Sequence, residues 1–170
     1  MKRFALIILF PTLIISLFGC GKSAEPKLIL PTALYYHNDL DDKDNFNEVF
    51  VSEIREGADW QNDHMLLLNN YFLGPESDNL INPFPTDLTV VSLSNNGNTT
   101  NIVLSDQITK LTGMDLTMAC SCLSLTLFEL TQCDFVEIAA ADNLIADQEV
   151  IVIGRESLLM SDEVILPTEN

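Results

Sequence analysis

The spacing of apolar side chains divides the chain beyond residue 31 into short strands. Six runs rich in β-branched or aromatic residues predict strands over 32–36, 49–54, 89–93, 100–104, 135–139 and 150–153. The acidic stretch from Asn38 to Asn47 reads as the turn of a first hairpin. Asn96-Gly97 predicts a second hairpin between the third and fourth runs, because Asn-Gly suits a tight turn between antiparallel strands.

Two further segments have the periodicity of amphipathic helices. The first is predicted to begin at an N-cap on Asp59 and to end near residue 73, where Gly74-Pro75 stops it. Its apolar positions are Met65, Leu68 and Phe72. The second is predicted over 116–130 with Asp115 as its N-cap, and one apolar stripe follows it through Leu116, Cys120, Leu123, Leu127 and Leu130.

The order of these elements predicts an α+β fold. Two strands, a helix, two strands, a helix and two strands are the material for a single small domain. We expect its two helices to pack on one face of a mixed or antiparallel sheet of about five to six strands, since this buries both apolar stripes.

The N-terminus has a different pattern, typical of a secretory signal. Lys2 and Arg3 precede an almost wholly apolar run over 4–18, which is too short for a membrane span. The run ends in Leu17-Phe18-Gly19-Cys20, which resembles the lipobox at which bacterial lipoproteins are lipidated. The alternative is an ordinary signal peptide in which Cys20 is accidental. We expect lipidation at Cys20 and an anchored protein on the extracytoplasmic face of the cell membrane.

This interpretation gives the chain four parts. Residues 1–19 are a lipoprotein signal peptide, 20–31 a tether, 32–160 the folded domain and 161–170 an acidic tail. The net charge of the chain is −17, and removal of Lys2 and Arg3 takes it to −19. Such a charge argues against nucleic acid as a partner, because phosphate backbones are bound by clustered Lys and Arg.

Three cysteines remain beyond Cys20, and their pattern leaves three interpretations open. Cys120 lies on the apolar stripe, so Cys120, Cys122 and Cys133 can be small core residues. A disulfide between Cys122 and Cys133 would be permitted outside the cytosol. The third interpretation is a metal- or small-molecule-binding lipoprotein with all three thiolates as ligands, although positions i and i+2 of a helix point apart.

The other candidate groups carry weaker signals. The residues Asp39, Asp41, Asp42 and Asp44 lack the spacing and the glycine of a calcium-binding EF-hand loop, so they are read as a solvated turn. His37 and His64 are the only histidines, and no nucleophile motif accompanies either of them. We therefore expect no enzyme activity, no cofactor and no metal site.

Several short motifs, taken in order, resemble the GerMN domain, the sporulation and spore germination module of many bacterial lipoproteins. They are Leu34-Tyr35-Tyr36, Leu73-Gly74-Pro75, Phe84-Pro85, Val91-Ser92-Leu93, Gly97, Val103-Leu104-Ser105, Leu125-Thr126-Leu127, Val136 and Ile138. Asp142-Asn143 stand where that family often has an acidic residue and Gly, and the Cys120/Cys122 pair is not part of its pattern.

The resemblance implies a non-catalytic interaction module at the cell envelope, with sporulation or germination as one setting. Its partner would be an envelope protein or a wall component, and a homo-oligomer is left open. We expect the contacts to come from exposed strand edges or from the region of Tyr35 and Tyr36.

Overall fold

The computed structural model describes residues 31–38, 49–56 and 63–159. The predicted signal peptide, Cys20, the tether up to residue 30, the aspartates of the first hairpin turn, Asp59 and the acidic tail all lie outside the described residues.

The elements follow the predicted order with additions. The strands in the described part are β1 (Thr32–Asn38), β2 (Phe50–Arg55), β3 (Leu80–Ile81), β4 (Val90–Asn95), β5 (Thr99–Leu104), β6 (Phe135–Ala140) and β7 (Ile151–Gly154). The helices there are α1 (His64–Tyr71), α2 (Gly113–Thr131) and α3 (Arg155–Leu159), with a 3₁₀ helix over Asp106–Lys110. The two-residue β3, the 3₁₀ helix and α3 are additions to the prediction.

The strands pair into two sheets, which corrects the single sheet that we predicted. The first sheet has the order β2-β1-β3 and is antiparallel. The second has the order β4-β5-β6-β7, in which β5 and β6 are parallel and the outer pairs are antiparallel. The parallel pair follows from α2, since a helical crossover returns the chain in the same direction. The α+β class is confirmed.

Helix α2 lies in the core because it contacts both sheets, through β1 of the first and β6 of the second. The predicted stripe is confirmed: four of its residues are buried and Leu130 is partly buried against the core. Burial also extends beyond the stripe, to Ser121, Cys122, Ser124 and Thr126. By length and composition α2 could cross a membrane. About half of it is buried inside this domain, however, as is usual for a core helix of a globular domain.

Both predicted helix N-caps are wrong. Asp63 caps α1, and its Oδ1 accepts the backbone N–H of Leu66 at 3.0 Å. Thr112 precedes α2 without a side-chain cap, and Asp115 stands instead in the first turn, where its negative charge suits the helix dipole.

The α1 stop signal acts as predicted. The helix ends at Tyr71, and Gly74 follows with a φ of 112° that favours glycine. A side chain at Gly74 would also meet the amide of Asn82 at 3.0 Å. The predicted hairpin between β4 and β5 is likewise present, with Gly97 at a φ of 80°.

The C-terminal end of α2 is held by Arg155, the first residue of α3. Its guanidinium donates to the carbonyl of Phe128 at 2.7 Å and to that of Cys133 at 2.9 Å. It also lies 4.9 Å from the centre of the Phe128 ring. The last turn of α2 has no basic residue of its own, so Arg155 supplies the positive charge that stabilises a helix C-terminus.

Candidate functional site

The structure brings the three cysteines into the core rather than into a site. Cys120, Cys122 and Cys133 are all buried free thiols, and Cys122 is not joined to Cys133. Burial raises the pKa of Cys120 and of Cys122 to about 12. The thiolate is the form that binds metals and attacks electrophiles, so these two groups are chemically inert at neutral pH. The disulfide interpretation is wrong, and the structure supports core packing.

The described residues also lack the cluster of side chains that metal binding by the three cysteines would require. Within 31–38, 49–56 and 63–159, no three His, Cys, Asp or Glu side chains are arranged to hold a metal ion. The aspartates of the first hairpin lie outside these ranges.

We expect the three core thiols to resist alkylation in the folded chain. At pH 8, maleimide labelling of the chain from residue 20 onward, carrying Cys20→Ser, should leave all three unmodified. Labelling in guanidinium should then modify all three, because unfolding exposes them. Thr117→Cys, at an exposed position of α2, is the positive control and should be labelled without denaturant. Rapid native labelling of Cys120 or Cys122 would contradict their burial.

The two histidines line different hollows and do not form one site. His37, at the end of β1, lines an apolar groove that also contains Asp115. His64, the first residue of α1, lines a smaller hollow with Ser94 and Thr131.

The expectation that Tyr35 and Tyr36 form a contact surface is wrong for Tyr36. Its ring is fully buried, 4.9 Å from that of Tyr71, and its hydroxyl donates to the Tyr71 carbonyl at 3.0 Å. Tyr35 has its N–H bound to Thr126 Oγ1 at 2.9 Å, and its carbonyl accepts from the Tyr71 hydroxyl. Thr126 of α2 and Tyr71 of α1 thus cover the part of the β1 edge that β3 leaves unpaired. This part of the edge is therefore not free to pair with a strand of another protein.

A buried ion pair that no sequence motif marks connects β2 to the loop after α1. Arg55 Nε donates to Glu53 Oε1 at 2.7 Å, and an Arg55 amino group donates to the Gly74 carbonyl at 2.6 Å. The other oxygen of Glu53 accepts the N–H groups of Glu76 and Ser77, both at 2.9 Å. We call this set the Arg55 network. It fixes the loop that follows α1 and is structural rather than catalytic.

A largely apolar groove lies at the C-terminal end of β1. Its volume is about 560 Å³, and its apolar lining consists of Val49, Ile81, Phe84, Leu111, Met114 and Met118. We call it the Met114 groove, because Met114 is 73% exposed at its rim. Methionine is flexible and polarisable, so such a lining can adapt to different apolar partners.

A second hollow, of about 520 Å³, lies on the other side of Asn82 and Phe84, which line both openings. Exposed Leu66 and Leu73 line it, as exposed Val49, Ile81 and Met114 line the first. Five of the eleven exposed large hydrophobic residues in the described part therefore surround these two openings. Contiguous exposed apolar surface of this kind is typical of an interaction surface.

The described part of the domain is acidic overall, and each opening has one aspartate in its lining, Asp115 in the first and Asp87 in the second. The described residues contain fifteen Asp and Glu but only three Lys and Arg. Two of the three cations, Arg55 and Arg155, are engaged inside the fold, and Lys110 is the exposed one. The described part of the chain therefore carries a net negative charge, which favours cationic partners.

Comparison with known proteins finds the fold but no sequence relative. No family model matches the chain, and no curated protein does. The tandem GerMN domains of the sporulation protein GerM from Bacillus subtilis superpose with a TM-score of 0.59 and 16% identity, over 81% of this chain and 49% of that one. A candidate lipoprotein from Clostridium perfringens gives a TM-score of 0.42 and 17% identity, over 76% of this chain and 89% of that one. The chain spans about half of the tandem GerMN chain, and its fold is GerMN-like.

Proposed function

We propose that the chain is a lipid-anchored, extracytoplasmic lipoprotein whose GerMN-like domain is a non-catalytic interaction module. The observation that carries the proposal is the N-terminal sequence, where the apolar run over 4–18 leads into Leu17-Phe18-Gly19-Cys20. Acyl chains on Cys20 would hold the protein at the membrane, since each buried CH₂ contributes roughly 0.8 kcal/mol. Sporulation, germination or assembly of the cell envelope would be its setting.

Three features of the domain support an interaction role over a catalytic one. The thiols of Cys120 and Cys122 are buried and protonated, so they are poor nucleophiles. His37 and His64 line separate hollows. By contrast, five of the eleven exposed large hydrophobic residues in the described part line the two openings beside Phe84. The partner that we propose is a protein of the envelope or a component of the wall.

Lipidation is tested directly by replacing Cys20. In a bacterial host supplied with an alkyne analogue of palmitate, the full chain should acquire the label, and its mature N-terminus should be residue 20. Cys20→Ala should incorporate no label, because the acceptor thiol is gone. Lys22→Ala, just beyond the motif, is the matched control and should be labelled like the wild type. Label on Cys20→Ala, or none on the wild type, would overturn the anchor.

A further inference from the structure

The Met114 groove combines two properties that together select a partner. Its lining is mostly apolar, and three large hydrophobic side chains in it are exposed: Val49 at 46%, Ile81 at 39% and Met114 at 73%. Burying them against another molecule would remove this apolar area from water, which is the main driving force for association. The groove therefore offers apolar contact area with two adaptable methionines, Met114 and Met118.

The charge around the groove restricts what can enter it. Asp115 lies in its lining, and the described domain has twelve more acidic than basic side chains. Lys110 is the exposed cation among the described residues, and it is adjacent in sequence to Leu111 of the groove lining. An anionic partner would be repelled here and a cationic one attracted.

The position of the groove in the fold points the same way. It lies at the His37 end of β1, whereas the chain enters β1 at Thr32. Seven residues of strand separate the two ends by roughly 20 Å. If the tether joins the membrane as proposed, the groove lies at the end of β1 away from the attachment point.

We propose that the Met114 groove binds a basic amphipathic segment of a partner protein. Apolar side chains of that segment would fill the groove, and its Lys or Arg side chains would face the acidic surface around it. This inference rests on the proposed function, since it names the partner class of the interaction module. It does not depend on the lipid anchor, so the labelling result with Cys20→Ala stands whatever the groove binds.

The test uses the chain from residue 20 onward with Cys20→Ser and with ¹³C-labelled methionine methyl groups. The probe is a 14-residue peptide of Leu and Lys whose leucines recur at helical spacing. We expect the methyl signals of Met114 and Met118 to move on titration, while that of Met65, on α1 and outside the groove, stays in place. A peptide of the same composition with the leucines out of helical order should bind at least about tenfold more weakly, because only a continuous apolar face fills the groove.

A variant pair separates groove contact from general attraction between opposite charges. Met114→Gln combined with Ile81→Asn should weaken binding by at least about tenfold, since neither change alters the net charge and both remove apolar contact. Val152→Asn, at a 60% exposed position of β7 outside the groove, should change the affinity less than about twofold. Circular dichroism of each variant confirms that it folds.

Three results would overturn the proposal. The first is equal affinity of wild type and the groove variant for the Leu/Lys peptide. The second is a Met114 signal that shifts with protein concentration in the absence of peptide, which would place a second copy in the groove. The third is a Met114 response to vesicles of neutral phosphatidylcholine but not to the peptide, which would make acyl chains the occupant.

Discussion

Replacing Arg55 by Met is expected to lower the free energy of unfolding by about 3–5 kcal/mol, the usual result of removing one member of a buried ion pair. Arg55 and Glu53 are only 7% and 13% exposed. Without Arg55, the Glu53 carboxylate stays buried with just the two N–H groups of Glu76 and Ser77. The Gly74 carbonyl loses its donor as well. Urea unfolding followed by far-ultraviolet circular dichroism measures the loss.

Two controls distinguish this network from a general effect of charge. Lys110→Met removes a cation from an exposed position and should change stability by less than about 0.5 kcal/mol. Arg55→Met combined with Glu53→Gln should be more stable than Arg55→Met alone, since no uncompensated buried charge remains. If Arg55→Met and Lys110→Met unfold at the same urea concentration, the Arg55 network contributes nothing measurable.

Alkali should destabilise the domain steeply. In the unfolded chain a thiol loses its proton near pH 9, whereas Cys120 and Cys122 keep theirs in the fold until a pKa of about 12. Between these values the native state binds more protons than the unfolded state, so stability falls as the pH rises. Two thiols give a slope of roughly 2.7 kcal/mol per pH unit. Burial also raises the pKa of Tyr36 and Tyr71, which steepens the slope above pH 10.

The measurement is the free energy of unfolding in urea at pH 8, 9.5, 10.5 and 11. Below pH 9 both thiols keep their protons in the folded and in the unfolded state. They should therefore cause no change of the free energy of unfolding with pH in that range. Cys120→Ala with Cys122→Ala should be less stable at pH 8, because packing is lost, yet should lose less stability on going to pH 11. A double variant with the wild-type slope would show that these thiols are not the cause.

Local sequence signals located the strands, because the alternation of β-branched residues is a local property. All six predicted strands are present, with ends that differ by one or two residues. The two-residue β3 could not be found this way. It forms only because Leu80 pairs with Asn38 and Ile81 pairs with His37, residues that are far apart in the sequence.

The split into two sheets and the candidate surface were beyond the sequence for a related reason. Periodicity predicted one buried stripe on α2, but it did not predict that Ser121 and Cys122 would be buried as well in a helix that contacts both sheets. The Met114 groove gathers residues from four separate parts of the chain, so no local motif marks it. The one local sign of the groove in the sequence is the pair Met114 and Met118, one helical turn apart at the start of α2.

The hydroxyl groups inside α2 would affect the secretion of this chain across the membrane. Before folding, a protein secreted as proposed presents α2 to the bilayer as nineteen mostly apolar residues, nearly the length of a spanning helix. Ser121, Ser124 and Thr126 interrupt that run. In the folded domain Ser124 Oγ is buried with no hydrogen-bond partner among the described residues, which costs stability. Leucines at these positions would favour arrest of the chain in the lipid during secretion, which the hydroxyl groups disfavour.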